Sequence, residues 1–205
     1  MLSPEPAAPR RAHQTSSVDN RIFLHDVSWR GLEHVLELRG DRAGVRLTYL
    51  HGELELTSPS TDHEAIKKTI ARLVEAFAEE LGLDLNGVGS WTIARSEAER
   101  AAEPDECYVM GSVKGRDKPD LAIEVVWTSG GIDKLDVYRG LGVREVWIWQ
   151  DGRIRVFLLV GERYESREQS ELLPSLDLGL VARLATSESQ IAAARELRRS
   201  MRSGQ

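Results

Sequence analysis

The chain has 205 residues, of which 41% are hydrophobic and 29% are charged, so it falls in the class of ordinary soluble domains with one substantial core. Its formal net charge of −6 argues against a dedicated nucleic-acid-binding protein with a dominant basic surface, although a local basic patch is compatible with that charge. The single cysteine, Cys107, excludes an internal disulfide and fits a reducing compartment.

The sequence carries no pattern of a membrane or exported protein. No apolar run approaches the ~20 residues that cross a bilayer, and the first residues, MLSPEPAAPRRAHQTSS, lack the apolar segment of a signal peptide. We therefore expect a cytoplasmic protein without a membrane partner. Residues 1–19 are rich in Pro, Ala, Ser and Arg and show no periodicity, which predicts a disordered tail.

The first half of the chain predicts two helices and a hairpin. Ser28 is a good N-cap for a helix that ends at Gly40. The apolar positions of this helix are Leu32, Val35, Leu36 and Leu38. The segments VRLTYL and ELELTS both alternate around His51-Gly52, which predicts a hairpin. A longer helix, with apolar residues at intervals of three and four, begins at Ser60 and ends at Gly82.

The second half predicts mainly strands. Four of them are expected near residues 91–95, 105–110, 120–127 and 145–150, with a short helix over 133–141. Asp151-Gly152 turns the chain into a further strand, RIRVFLL, and YES is one more candidate. The segment 172–184 is ambiguous. We expect one α/β domain with a mixed sheet over residues 20–186, followed by a C-terminal helix and tail over 187–205.

Several familiar catalytic patterns do not occur in the sequence. His63-Glu64 is not followed by a second histidine at the spacing of a zinc protease. The nucleophile pattern Gly-x-Ser-x-Gly is missing, and one cysteine excludes a zinc site of several thiolates. Carboxylates are therefore the better lead.

Two acids lie in one apolar run, PDLAIEVVW. On a strand, Asp120 and Glu124 share one face, and the opposite face carries Leu121, Ile123, Val125 and Trp127, which is typical of a core face. The two acids are about 13 Å apart at ~3.3 Å per residue, which is too far for one metal ion. Glu124 therefore needs a partner acid on a neighbouring strand.

Asp105 is the candidate partner, because it begins the preceding apolar strand. If the two strands are neighbours, Asp105 and Glu124 can hold Mg²⁺, which prefers oxygen ligands, few carboxylates and several waters. The alternative is that Asp105 and Asp120, which both follow a proline, only cap turns. Lys134 lies in the short helix, four residues before Tyr138 and on the same face, from which an ammonium could reach the acids.

Several motifs in one order resemble the Uma2 family of the PD-(D/E)xK nuclease superfamily, over about residues 28–184. The segments that carry the resemblance are YLHGELELTSPSTDHEAI, EPDECYV, PDLAIEVVWTSGGIDKLDVYRGLGVREVWIW and LLPSLDLGLVARL. The resemblance implies a restriction-endonuclease-like mixed β-sheet core flanked by helices, preceded by an N-terminal helix and hairpin.

The resemblance also implies a role for each of several residues. Asp105 matches the acid of the PD motif and Glu124 the acid of (D/E)xK, and with the Val125 backbone carbonyl they would hold Mg²⁺ or Mn²⁺. Position 126 should be lysine but is Val126, so Lys134 is the expected substitute. The loop EVVWTSGG also departs from the family's usual EVLSPS. The auxiliary candidates are Asp120 (a second ion, or orientation of Lys134), His63, Glu53 and Tyr138.

Three functions remain open at this point. The first is a Mg²⁺-dependent endonuclease that hydrolyses DNA. The second is a catalytically silent relative that binds nucleic acid or a protein partner on the same scaffold. The third is a structural homodimer in which the acids and Lys134 form only a buried ion-pair network. We also expect a homodimer for the nuclease, because Trp127, Trp147 and Trp149 offer more aromatic surface than one small core needs and because two-fold symmetry suits a duplex.

Overall fold

The two predicted hairpins form at the residues whose backbone conformation a tight turn requires. His51 and Gly52, and likewise Asp151 and Gly152, all have positive φ, as a two-residue turn between twisted strands demands. In this computed structural model the described residues are 18–40, 42, 44–127 and 130–203. The predicted tail therefore lies outside the described residues except at its end, where Asp19 is buried, so the tail boundary at residue 19 is wrong.

The described residues form five helices and eleven strands. The helices are α1 (Trp29–Arg39), α2 (Thr61–Leu81), α3 (Lys134–Leu141), α4 (Leu178–Leu184) and α5 (Gln190–Ser203). The first six strands are β1 (Asn20–Leu24), β2 (Arg46–Leu50), β3 (Glu53–Ser58), β4 (Leu85–Gly87), β5 (Ile93–Arg95) and β6 (Arg100–Ala102). The last five are β7 (Glu106–Met110), β8 (Leu121–Val125), β9 (Glu145–Gln150), β10 (Arg153–Val160) and β11 (Arg163–Arg167).

The strands are divided between two sheets. The larger sheet has the order β11-β10-β9-β8-β7-β4, and the smaller has the order β1-β3-β2-β6-β5. All pairs are antiparallel except β8 with β9, so the larger sheet is mixed, as predicted. Parallel neighbours need a crossover, and α3 provides it, which brings this helix over the end of β8.

Three apolar clusters hold the layers together. The first packs α2, α4 and α5 on one face of the larger sheet and includes Trp147 and Ile70. The second packs α3 on the other face of that sheet, against β5 and β6 of the smaller sheet. The third packs α1 on the far face of the smaller sheet, around Leu32. Because the smaller sheet is covered on both faces, its side chains that point toward the larger sheet are enclosed between the two.

The predicted helix boundaries are confirmed by their caps. The hydroxyls of Ser28 and Ser60 accept backbone N–H groups of α1 and α2, and Gly82 ends α2 in the left-handed conformation that favours glycine. One detail of α1 is wrong, because Leu38 is 78% exposed rather than part of the core.

Other elements were missed or left ambiguous. β4 and β6 have only three residues each, too few to show an alternation, and β1 is an edge strand with four of its five residues exposed. The ambiguous segment 172–184 contains the short helix α4, and α5 begins three residues after the predicted Ser187. The YES segment does lie in a strand, β11.

The tryptophans pack in the core. Trp147 and Trp149 are buried in the first apolar cluster, and Trp127 stacks on Trp149 with their ring centroids 6.1 Å apart. The proposed excess of aromatic surface is therefore wrong, and the homodimer loses that support. None of the helices in the described part of the chain combines the length and apolarity needed to cross a bilayer.

Candidate active site

Asp105 and Glu124 face each other across neighbouring strands, as predicted. β7 and β8 are antiparallel, with Glu106 opposite Ile123. Continuing that register by one residue places Asp105 opposite Glu124, on one face of the sheet, where Cβ atoms are about 4.5–5.5 Å apart. The alternation of faces along β8 is also confirmed, since Ile123 packs with α2 and Ala122 packs with α3. We call Asp105 and Glu124 the acidic pair.

Asp105 is 3% exposed and is held by three elements. Its Oδ1 accepts a hydrogen bond from Arg46 on β2, and its Oδ2 accepts one from the Val125 N–H at 2.7 Å. His63, in the first turn of α2, brings Nε2 to 2.9 Å from Oδ2. The other ring nitrogen of His63 is 2.8 Å from Asp19 Oδ2, so the imidazole lies between two carboxylates.

These contacts fix the charges around Asp105. Burial alone would raise the pKa of Asp105, but the contact with His63 and the charges of His63, Arg46 and Lys134 outweigh it and hold the pKa well below its ordinary value. Burial likewise opposes the charge on His63, yet Asp105 and Asp19 together raise its pKa to about 9. Asp105 is therefore ionised and His63 protonated at neutral pH.

Glu124 is 1% exposed, and within the described part of the chain its side-chain hydrogen-bond partners both lie on α3. Its Oε2 lies 2.7 Å from the Lys134 ammonium, and its Oε1 accepts a hydrogen bond from the Tyr138 hydroxyl. Burial raises the pKa of Glu124, and the charge of Asp105 raises it further, so that the ammonium of Lys134 does not restore it to its ordinary value. The two acids thus have pKa values shifted in opposite directions.

The helix places Lys134 over Glu124 because of where it begins and which face it buries. Asp133 caps the first turn, its side chain accepting the N–H groups of Leu135 and Asp136. Val137, Tyr138 and Leu141 are buried in the second apolar cluster and dock the helix on the sheet. Lys134 lies one turn before Tyr138, so both side chains reach the same carboxylate. The prediction that the Lys134 ammonium points at the acidic pair is confirmed.

The smaller sheet supplies residues that the sequence did not reveal. Arg46 bridges Asp105 and Glu64 of α2, with 2.7 Å between its Nη2 and Glu64 Oε1. Apolar and polar residues alternate along both strands of the first hairpin, so the sequence could have shown that Arg46 and Glu55 lie on the face opposite the apolar one. It could not have shown that a second sheet covers that face. Asp19 gave no signal, because it lies in a segment without periodicity.

Glu55 fixes the loop that leads into α3. It is 3% exposed, pairs with Arg21 of β1, and accepts the Ile132 N–H at 3.1 Å. Gly131 lies against it with φ of +132°, and a Cβ there would come to 2.8 Å from Glu55 Oε2. The glycine in the unusual loop sequence therefore allows the close approach that starts α3 at Lys134.

Two auxiliary candidates lie apart from the acidic pair. Asp120 is at the other end of β8, where its Oδ2 accepts the Met110 N–H at 2.9 Å and pairs with Arg116. Glu53 is half-exposed in the hairpin and pairs with His25. His63 and Tyr138, in contrast, each contact one member of the pair.

The donor chemistry fits a hard divalent ion held by few protein ligands. Within the described ranges, no group of three His, Cys, Asp or Glu side chains is arranged to hold a metal. Two opposed carboxylates remain, and Mg²⁺ commonly takes one or two carboxylates and completes its octahedron with water and phosphate oxygens. Asp105 and Glu124 would hold such an ion.

The fold also occurs in a solved crystal structure. It matches the crystal structure from Anabaena variabilis ATCC 29413 described as "a putative nuclease belonging to DUF820", with a TM-score of 0.55 and 13% identity, over 76% of this chain and 98% of that one. At that identity the likeness shows the fold alone.

Residues 32–187 match the sequence model of Uma2, described as "Putative restriction endonuclease". The chain belongs to the Uma2 family, as its motifs predicted. No curated protein matches the chain.

Proposed function

We propose that this protein is a Mg²⁺- or Mn²⁺-dependent endonuclease that hydrolyses phosphodiester bonds of DNA at the acidic pair. The observation that carries the proposal is the 2.7 Å contact between Lys134 and Glu124. It supplies, from a helix, the cation that the PD-(D/E)xK pattern expects two residues after the acid, where this chain has Val126. The nuclease description of the family supports the same reaction class.

Each residue of the site has a distinct task in this proposal. Asp105, Glu124 and the Val125 carbonyl would hold the ion. A bound ion would polarise the phosphate and lower the pKa of a water ligand. Lys134 stabilises the negative charge that gathers on the attacking oxygen or on the phosphoryl oxygens, from a fixed position that needs no reorganisation.

The remaining contacts orient the two acids. His63, held by Asp19, and Arg46 fix the Asp105 carboxylate, and Tyr138 fixes one oxygen of Glu124. These groups act on the reaction through the acidic pair and do not contact the phosphate that is cut, so we assign them positioning roles. Asp120 and Glu53 take no part in this arrangement.

A second reading is favoured by one observation. All four carboxylate oxygens of the acidic pair already have protein partners: Arg46, His63, the Val125 N–H, Tyr138 and Lys134. Such a saturated network is also what a buried ion-pair cluster without catalysis looks like. A silent scaffold that binds DNA without cutting it is the third possibility.

Calorimetric titration with Mg²⁺ and with Mn²⁺ separates these readings. Wild-type protein should bind the ion and Glu124→Gln should not, because the amide removes one of two anionic ligands. Glu106→Gln is the matched control, since Glu106 is a buried acid on β7 next to Asp105 but on the opposite face of the strand. Wild type without ion binding favours the ion-pair network.

Cleavage assays test the reaction itself. With Mg²⁺ or Mn²⁺ the wild type should nick or cut DNA, EDTA should abolish the reaction, and Asp105→Asn or Glu124→Gln should lower the rate by orders of magnitude. Glu106→Gln should leave the rate unchanged. Ion binding without cleavage of any DNA form would leave the silent scaffold as the better description.

Two further expectations accompany the nuclease. A homodimer would match the two-fold symmetry of a duplex substrate, and light scattering should then show twice the 22.9 kDa mass of one chain. The single thiol, Cys107, is buried, which suits a reducing cytoplasm.

A further inference from the structure

A cleft of about 600 Å³ opens beside the Asp105 side of the acidic pair. We call it the basic cleft and define it by Arg39, Arg42, Arg46 and Lys67 together with Glu64 and Glu103, which all line it. Its walls include Gly40, Arg42 and Gly44 after α1, the start of β2 and the first turns of α2. It therefore lies where the two sheets and α2 meet.

The cleft is positive in a chain that is negative overall. Four cationic side chains face two carboxylates, whereas the whole chain has a formal net charge of −6. Glu103 is 3% exposed and is engaged by both terminal nitrogens of Arg39, by the Leu47 N–H and by the Thr92 hydroxyl. Its charge is thus compensated at the back of the cleft, and the accessible lining attracts anions.

The cleft is continuous with the acidic pair through Arg46. One terminal nitrogen of Arg46 bonds Asp105, and the other lies 2.7 Å from Glu64, which in turn pairs with Lys67 at 2.5 Å. An anion seated between Arg46 and Lys67 therefore lies next to the proposed metal ligands. In a polynucleotide, that is the position of a phosphate neighbouring the one that is cut.

The cavity on the Lys134 side of the acidic pair is smaller and has a smaller excess of positive charge. It has about 310 Å³ and is lined by Arg21, Lys134 and Arg155 against Glu55 and Asp133. Arg21 and Glu55 are paired with each other there. The larger volume and the larger positive excess both lie on the Arg46 side.

We propose that the basic cleft binds the backbone phosphates of the nucleic-acid strand adjacent to the cleavage site, through Arg42, Arg46 and Lys67. This proposal rests on the proposed function for the position of the cleavage site, but phosphates can bind in the cleft whether or not the protein cuts DNA. Recognition by guanidinium and ammonium groups reads phosphate rather than base, so it is independent of sequence. The cleft thereby supplies the local basic patch that a chain of this net charge needs.

Fluorescence anisotropy with a short fluorescein-labelled DNA duplex, in EDTA so that nothing is cut, tests the proposal. Lys67→Gln and Arg42→Gln should each weaken DNA binding. Each should also make the slope of log association constant against log salt concentration less negative by about 0.9, as expected for the loss of one phosphate contact. Arg195→Gln, on α5 and outside the residues that line the cleft, is the matched control and should leave both quantities unchanged.

The outcomes separate this proposal from the proposed reaction. If the two cleft variants bind with the wild-type affinity and slope, or if Arg195→Gln weakens binding as much as they do, the cleft is not the phosphate site, even if the wild type cleaves DNA. If the cleft variants lose affinity and the wild type cuts nothing with Mg²⁺ or Mn²⁺, the phosphate site stands without the nuclease. A wild type that binds no DNA at low salt overturns the cleft proposal.

Discussion

Asp105 and Glu124 lie opposite each other on neighbouring strands, yet different parts of the molecule hold them. Asp105 is held from three sides by β2, α2 and β8, through Arg46, His63 and the Val125 N–H. Glu124 depends on Lys134 and Tyr138, which both belong to α3. The surroundings lower the pKa of Asp105 and raise that of Glu124.

This difference indicates a division of tasks within the acidic pair. A carboxylate that several cations keep ionised has a fixed charge and position, and we call Asp105 the anchor for this reason. A carboxylate with a raised pKa and a single ammonium partner changes its charge or position more readily when an ion binds nearby. We infer that Asp105 fixes the geometry and that Glu124 adjusts when an ion or a phosphate binds.

The largest effect should come from removing the anchor. Asp105→Ala removes one of the two carboxylate partners of His63 and of Arg46, which are both largely buried, and should lower the free energy of unfolding by about 3–5 kcal/mol. Glu124→Ala should cost less, about 1–3 kcal/mol, because the Lys134 side chain is 26% exposed and can turn to water. Urea unfolding followed by circular dichroism measures both, and equal losses would contradict the division of tasks.

Lys134→Ala should affect the reaction more than the fold. The single-turnover cleavage rate should fall about 10²–10³-fold, or about 2.7–4 kcal/mol, by analogy with the loss of one donor to a developing oxyanion. The free energy of unfolding should change little, because Glu124, whose pKa is already raised, can take up a proton. Lys114→Ala, an exposed lysine on a loop, is the control and should cut DNA at the wild-type rate.

The contacts of His63 with Asp105 and Asp19 should make the free energy of unfolding depend on pH. Because the folded-state pKa of about 9 lies above the ordinary value of 6.5, the imidazolium stabilises the fold fully below about pH 6.5. That contribution, about 3 kcal/mol at about 1.4 kcal/mol per pH unit, should be lost as the pH rises through 9. Unfolding in EDTA at several pH values measures it, and the dependence should flatten in His63→Gln.

The smallest effect concerns the Tyr138 hydroxyl. Tyr138→Phe removes one hydrogen bond to a buried oxygen of Glu124 and should cost about 1–3 kcal/mol of stability. The cleavage rate should fall less than in Lys134→Ala, since the ammonium stays in place. A loss of rate as large as that of Lys134→Ala would mean that the hydroxyl itself takes part in the chemistry.

The sequence was informative wherever the relevant pattern was local. Alternation in PDLAIEVVW separated the core face from the Glu124 face, and the spacing of four residues between Lys134 and Tyr138 placed both on one face of α3. Both are properties of a few consecutive residues. They made Asp105, Glu124 and Lys134 candidates, and the family resemblance then implied their roles.

The rest of the site depends on how two sheets meet, which no local pattern shows. Arg46 and Glu55 lie on alternating strands whose polar face would ordinarily face solvent, but here it faces the larger sheet. Asp19 lies in a segment without periodicity, and its side chain contacts His63 and Ser60. The tryptophans misled for a related reason, because Trp127, Trp147 and Trp149 pack in the first apolar cluster, which also contains residues of α2, α4 and α5.

The position of Lys134 on α3 has a consequence for how related proteins are recognised. A sequence search for an acid followed two positions later by lysine misses this chain, because that position is Val126. The Val126 side chain packs against the second apolar cluster. The feature that identifies such a site is then a cation beside the acidic pair, on whichever helix or strand it lies. In the proposed endonuclease, the helix that follows the strand supplies that cation.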